Sequence, residues 1–554
     1  MRIIPTQGIC DPHIRIYTGK VYMYATHDRS PQNTGFYMDA WRIYSPDDLI
    51  KWKHENTFRP EDTFLGKCEE CYATDSIERN GKYYLYFSKG QECVGVAVAD
   101  RPEGPYRDAL GKPLLPKGLA DTPSYDPAIF IDDDEASTPY IVRGFTVGGK
   151  QYYMARLNED MISLAEEPRA VVIENTWDDN DAPALNKWNG VYYLSSHRSF
   201  YATSDNVYGP YTYRGTFMDE CYVDHGNFFT FHNQTYFAYG IPENFGDTNM
   251  NRYFRTTKMV YVHFRENGDI CMDEFMKEAG VGQYEASWPA IKGEWFFAAS
   301  AGIVKGECGS GFDLRGIRNG SYLGYQNVHG MRQNALLFLR LASRNRRPCT
   351  VEVREGRPFG AVLGACHFGK VGNYDVGSFE EIPCRLENRA GTHSLCFVFR
   401  CEEEGDLIRF EDFHFEQVKS CRHRIPLPAG PCAGGGRGGS APPLFLGGAG
   451  LCDSPSRRKS GHRDPLCGRG RLHDLLRCLS DTIIPKEDLL CASFPIRVFV
   501  TPTFIFSTVR LFCSPATITA RVSPTTVWAI GSSSPAMTSS TGSWNSSSSP
   551  RTPT

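Results

Sequence analysis

Three aspartates stand just ahead of a proline at distant points of the chain: Asp11 in "CDPHI", Asp126 in "SYDPAIF" and Asp181 in "NDAPAL". The proline ring fixes its own φ and stiffens the turn, so a carboxylate one or two residues before it is held near one position. Carboxyl groups gathered around one cavity suit the cleavage of an acetal. A protonated one assists the leaving oxygen, an ionised one activates water or attacks carbon, and a third raises the donor's pKa by like-charge repulsion. Singly, each Asp has a plain reading as turn chemistry. Its repetition ahead of strand-forming segments is what points to a constellation.

Such a trio needs elements that return distant segments to one centre. Five segments share one plan, a turn with Gly, Asn or Ser followed by an aromatic strand: "GKVYMYATHD", "GKYYLYFSKG", "STPYIVRGF", "NGVYYLSSHR" and "NQTYFAYGIP". A recurrence of roughly forty to sixty residues suits a propeller, in which each blade buries its faces against its neighbours; a β-sandwich with aromatic strands is the alternative. From about residue 278 the pattern turns to shorter alternating strands, "NALLFLRLAS", "CTVEVREG", "HSLCFVFRC" and "LIRFEDFHFE", which read as an antiparallel sandwich. From residue 417, text such as "PAGPCAGGGRGGSAPP" buries too little surface to offset chain entropy. The expected fold is therefore all-β: a five-bladed β-propeller over residues 1–277, a β-sandwich over 278–416, and a low-complexity or disordered tail over 417–554 that contains one island, "FPIRVFVTPTFIFSTVRLF", able to form a strand pair.

Composition narrows the partners. A formal charge of -4 over 554 residues carries no electrostatic footprint for nucleic acid. No apolar run is long enough to span a bilayer, and the N-terminus lacks the pattern of an export signal, so a soluble chain without nucleic-acid or membrane partners is expected. The 19 Cys are scattered, and "CEEC" (Cys68, Cys71) has no companion pair for zinc, which favours buried reduced thiols. The acidic "IDDDE" at 131–135 reads as a solvated hairpin turn rather than a calcium loop.

Residues 1 to about 270 resemble glycoside hydrolase family 43, a family of five-bladed propellers. The likeness rests on "DPHI", "ATDSIERNGKYYLYFS", "VGVAVADRPEGPY", "YDPAIFIDDD", "YATSDNVYGPY", "DHGNFF" and "YFRTTKMVYVHF". It implies an inverting glycosidase of the arabinofuranosidase or xylosidase type acting on hemicellulose-derived oligosaccharide or polysaccharide. Asp11 is then the general base, Asp126 the modulator of pKa, Asp181 the general acid, and His225 and Arg255 substrate-binding residues. No cofactor is required by it, although calcium near the propeller axis, beside His225, is compatible with the family. His225 also has a plain reading as a core imidazole, and His13 and His27 are read as ordinary.

Three departures stand out. The family has Glu where this chain has Asp181; the backbone compensates, or Asp179 or Glu174 is the donor, or hydrolysis is weak and the chain is an impaired carbohydrate-binding propeller. Cys71 and Thr74 replace a Trp and a Pro. Residues 283–416 resemble a family 6 carbohydrate-binding module, with Tyr322 and Tyr374 as aromatic platforms, but Arg409 stands in place of the asparagine that often closes the sugar cleft. A fructan-cleaving propeller is a further rival, disfavoured because Cys precedes Asp11-Pro12 where that class has Asn.

Overall fold

The computed structural model describes residues 2–416, except 147–149, 176–180, 220, 221, 310 and 388, and the backbone of three strands between residues 497 and 521. Strands β1 (Ile9–Tyr17), β2 (Lys20–Asp28), β3 (Met38–Pro46) and β4 (Trp52–Phe58) form an antiparallel sheet in chain order. The next two sheets repeat this plan: β5 (Cys71–Arg79), β6 (Lys82–Lys89), β7 (Cys93–Ala99) and β8 (Arg107–Asp108), then β9 (Ala128–Ile131), β10 (Pro139–Arg143), β11 (Tyr152–Arg156) and β12 (Arg169–Val171). In the fourth sheet, β13 (Ile173–Glu174) lies parallel to β17 (Tyr211–Thr216), which follows β14 (Ala184–Trp188), β15 (Val191–Ser195) and β16 (Phe200–Ser204). The fifth holds β18 (Gly226–Phe231), β19 (Gln234–Pro242), β20 (Arg255–Phe264) and β21 (Ile270–Met272).

Local chemistry sets these hairpins. Four of the five opening strand pairs close through a two-residue turn with both φ angles positive: Thr18-Gly19, Asn80-Gly81, Asn189-Gly190 and His232-Asn233. That is the twist a tight hairpin requires, and Gly and Asn adopt it at least cost. Tyr, Val and Phe on the second strands are buried on both faces, as in "VYMYAT" of β2. In the third sheet the turn is replaced by the longer segment 132–138, in which Asp133, Asp134 and Glu135 are exposed. Asp132 is not solvated: it is 5% exposed, accepts from Lys187 Nζ at 2.8 Å and from the Tyr192 hydroxyl at 2.6 Å.

The first strands touch in cyclic order: β1 with β5, β5 with β9, β9 with β14, β14 with β18, and β18 with β1. The starts of five strands remote in sequence therefore face one centre. Aromatic rings fill the spaces between sheets; Trp41, Phe58 and Phe87 meet at 5.1–5.7 Å between centroids, and Trp188, Phe228 and Phe264 form a second such group. Each buried Phe contributes about 1.5–3 kcal/mol of apolar transfer.

Beyond a one-and-a-half-turn helix, Glu274–Ala279, N-capped by Asp273, two six-stranded sheets follow. One is built on Tyr322–Met331 and Gly391–Cys401, the other on Leu336–Ser343 and Ile408–Phe415. Tyr325 and Phe397 of the first meet Phe413 of the second at 4.8 and 4.9 Å. The core is continuous with the earlier sheets: Gln234 Nε2 donates to the carbonyls of Glu294 at 2.8 Å and Phe296 at 2.7 Å, and the Tyr261 and Tyr284 hydroxyls lie 2.8 Å apart. Residues 1–426 accordingly form one compact unit and 427–554 another. In the second, Arg497–Thr501, Thr508–Cys513 and Ala516–Arg521 pair as an antiparallel sheet, so the strand-forming island extends to three strands; the rest of the expected tail lies outside the described residues. Among the described residues no helix is long and apolar enough to cross a membrane.

Candidate active site

At the common end of the first strands lies a cavity of about 440 Å³, within the range of small-ligand pockets. Asp11, Asp126, Asp181, His225 and Arg255 all line it, with Phe36, Tyr72, Tyr125, His197 and Asp224 among their neighbours. The three acids that the proline pattern singled out therefore share one hollow.

The backbone explains how they are presented. Asp11 and Asp126 each have φ of 49°, directly before a proline, and the β1–β2 register shifts there. A left-handed non-glycine residue costs about 1–3 kcal/mol and persists where the surroundings impose it. In the fourth sheet the corresponding left-handed residue is Ala182, φ 52°, so Asp181 is offset by one position from its two counterparts. Contacts pin that offset residue: its N–H donates to His197 Nδ1 at 2.7 Å, its carbonyl accepts from the His197 N–H at 3.0 Å, and its Oδ1 accepts from the Tyr125 hydroxyl at 2.9 Å and the Ala182 N–H at 2.8 Å.

Arg255, 4% exposed at the start of β20, organises the opposite wall. Its Nη1 lies 2.8 Å from Asp11 Oδ1 and its Nη2 3.1 Å from Asp11 Oδ2, while Nη2 and Nε bind Asp28 at 2.8 and 3.1 Å. The Thr26 hydroxyl donates to Asp11 Oδ2 at 2.7 Å. Burial pushes the Asp11 carboxyl up, but Arg255, His225 and Thr26 together outweigh it and hold Asp11 below the usual carboxylate range. Asp126 goes the other way: burial first, then the charges of Asp181 and Asp11, drive it well above that range. Asp181 is raised by burial, against His197 and the Tyr125 hydroxyl. The cavity thus brings together one carboxylate held ionised and a pair of carboxyls whose pKa values are raised, the division of labour that acid-base cleavage of an acetal needs.

Several residues were not singled out by the sequence. Asp224, next to His225 in "DHGNFF", lies 3.5 Å from Arg255 Nη1, and burial pushes it up to about 6. His13, read as ordinary, faces His225 with the two Nε2 atoms 2.9 Å apart. Asp28 and Tyr125 carried no local signal, because their partners come from other sheets, and His197 binds the backbone of Asp181 from within the fourth sheet. Of the alternative donors, Glu174 is exposed on β13 and Asp179 lies outside the described residues. Cys71 and Thr74 are buried and do not line the cavity; Tyr72 and Ala73, between them, do.

The His225 environment does not fit calcium. Its Nε2 is engaged by a second imidazole nitrogen, whereas calcium takes six to eight oxygen ligands at about 2.3–2.6 Å. Among the described residues no group of three or more His, Cys, Asp or Glu is arranged to hold a metal.

In the later sheets the two tyrosines have different partners. Tyr374 donates to Asp406 Oδ2 at 2.8 Å, and the Arg344 guanidinium lies 4.1 Å from its ring centroid. Tyr322 is half-buried at the start of its strand, with its N–H bound by Ser300. Arg409 is 7% exposed and tied to Asp313 and to the Tyr374 carbonyl.

Comparison with known proteins adds an independent line. Residues 4–198 match the model of Glycosyl hydrolases family 43, and residues 298–417 that of Carbohydrate binding module (family 6). A xylosidase/arabinosidase of Bacteroides ovatus is 32% identical over 271 residues, 39% of this chain and 80% of that protein. An arabinoxylan arabinofuranohydrolase of Paenibacillus polymyxa is 23% identical over 468 residues, 73% of this chain and 72% of that one. Among solved structures, a family 43 arabinoxylan arabinofuranohydrolase of Bacillus subtilis, in complex with cellotetraose, aligns with a TM-score of 0.43 at 22% identity, over 75% of this chain and 96% of that one.

Proposed function

The chain belongs to glycosyl hydrolase family 43, and from that premise we propose that it hydrolyses arabinofuranosides or xylosides of hemicellulose origin with inversion at the anomeric carbon. It is a glycosidase, and its partner is a carbohydrate. The observation that carries the finer reading is the meeting of Asp11, Asp126 and Asp181 in one cavity with Arg255 and His225. Asp11, ionised and fixed by Arg255 and Thr26, takes the proton of the attacking water. Asp181 gives a proton to the departing sugar oxygen, and Asp126 tunes and orients it. Arg255 and His225 shape the sugar site. We read the five sheets, with their cyclic contact of first strands, as the blades of a propeller over residues 1–277, and the two later sheets as a sandwich over 278–416 that serves as the binding module.

The test is turnover of aryl arabinofuranoside and xyloside substrates by the whole chain, with the anomeric form of the first product followed by proton NMR. Inversion is expected, with activity lost in Asp11→Asn. Retention refutes the water-activating role of Asp11, and no turnover of either pentoside refutes the substrate class.

A further inference from the structure

Four buried side chains from four different sheets, or from the segments leading into them, form a line that the reaction described above does not use in full. His13 Nδ1 of β1 lies 3.0 Å from Asp75 Oδ1 of β5. His13 Nε2 lies 2.9 Å from His225 Nε2. His225 Nδ1 lies 3.7 Å from Asp126 Oδ2. None of the four is more than 7% exposed.

With both imidazoles neutral, the protons along this line have one consistent arrangement. Asp75 accepts from Arg15 Nε at 2.9 Å and from the Ile129 N–H at 2.7 Å; burial pushes its carboxyl up, yet Arg15 above all outweighs it and keeps Asp75 ionised. A carboxylate only accepts, so His13 carries its proton on Nδ1 and, when neutral, presents a lone pair at Nε2. The facing nitrogen must then donate, which places the proton of His225 on Nε2. Burial above all holds His225 neutral, its pKa lowered to about 3. With its single proton spent on His13, His225 turns a lone pair from Nδ1 toward Asp126. A lone pair offers an ionised carboxylate no donor, and so it favours the neutral form of Asp126.

We propose that Asp75 and His13 are positioning residues that fix the tautomer of His225, and through it keep the Asp126–Asp181 pair loaded with the proton that the departing sugar oxygen takes. The proton rests on Asp126, passes to Asp181 as Asp126 ionises, and leaves Asp181 for the glycosidic oxygen as its bond to carbon breaks. Water returns it after the product departs. The inference rests on the reading of Asp126 and Asp181 given above. It also accounts for the poor fit of calcium, since a second imidazole occupies that side of His225.

The experiment is the pH dependence of kcat/KM for the whole chain on an aryl pentoside, comparing wild type with His13→Phe, His13→Gln, Asp75→Asn and Asp126→Asn. The groups facing Asp126 are Asp11, Arg255, Asp181, His225, Tyr72, Tyr125 and Tyr152, and all seven remain in the His13 and Asp75 variants. His13→Phe frees His225 to present Nδ1–H, so the paired carboxyls release their proton more readily. The alkaline limb is expected to move to lower pH, with kcat falling about tenfold at neutral pH and KM little changed. Gln donates to Asp75 and accepts from His225, and keeps the wild-type limb. If the Phe variant does not fold, Asp75→Asn tests the same line, because it removes the carboxylate that holds the His13 proton on Nδ1. An alkaline limb unmoved in both Phe and Asn variants overturns the relay while leaving the glycosidase reading intact. Unchanged rate and pH profile in Asp126→Asn overturns that reading and the relay together. Loss of activity on chelation with EGTA, restored by calcium, also overturns the relay, since an ion would then engage His225.

Discussion

Replacing Asp181 by Glu restores the residue type that the family carries, and the structure predicts that it harms this protein. The side chain lengthens by one carbon–carbon bond, about 1.5 Å. The backbone cannot retreat by that amount, because the Asp181 N–H and carbonyl are both bound by His197 and its carbonyl also accepts from the Tyr152 hydroxyl at 3.2 Å. The carboxyl would be displaced from its place against the Tyr125 hydroxyl, and a misplacement near 1 Å costs about a hundredfold in rate, or about 2.7 kcal/mol of transition-state stabilisation. The assay is kcat/KM of Asp181→Glu and wild type on a xylo- or arabino-oligosaccharide, whose leaving oxygen needs a proton, and on a dinitrophenyl pentoside, whose leaving group does not. A loss of about a hundredfold is expected on the first and less than about tenfold on the second. A Glu variant as fast as wild type on the oligosaccharide, or faster, would refute the argument: the backbone at Asp181 would then give way to the longer side chain.

Asp224→Asn is expected to stabilise the protein at neutral pH. Its carboxyl is raised to about 6, so the fold binds its proton more tightly than the unfolded chain does. The cost of ionising it in the fold grows from about pH 4, near the unfolded pKa, and is complete above about pH 6. The variant's melting temperature should exceed wild type at pH 7 and match it at pH 4; a gap that widens toward acid has the wrong sign. Gln234→Ala removes both amide bonds to the Glu294 and Phe296 carbonyls and leaves them buried, at a cost of about 1–3 kcal/mol. Urea denaturation reads that loss, and an unchanged midpoint would mean that the two halves of residues 1–426 hold together without this bridge.

The fold was readable where a few adjacent residues decide the backbone. Thr18-Gly19, Asn80-Gly81 and Asn189-Gly190 carry the hairpin twist in their own φ angles, so five turn-plus-strand segments mark five sheets from sequence alone. The candidate acids were legible for the same reason at Asp11 and Asp126, each directly before a proline. Asp181 was found by the same pattern, but its displacement by one residue appears only in the backbone. What escaped has partners far off in the chain: Asp28 is 227 residues from Arg255, and His13 is 212 from His225. Asp132 was misread as solvated for that reason, since Lys187 and Tyr192 come to it from the next sheet.

The tight turns and the cavity occupy opposite ends of the same inner strands. Asp11 opens β1 and Thr18-Gly19 closes it, a run of roughly 20 Å of extended chain. Three of these tips, at residues 18–19, 80–81 and 189–190, are exposed, whereas Asn233 at the fourth donates its amide to the carbonyls of Ser300 and Ile303. Fluorophores, affinity handles or a tether to a surface can therefore be installed at any of the three without approaching the chemistry, while the fourth is spoken for by the neighbouring sheets.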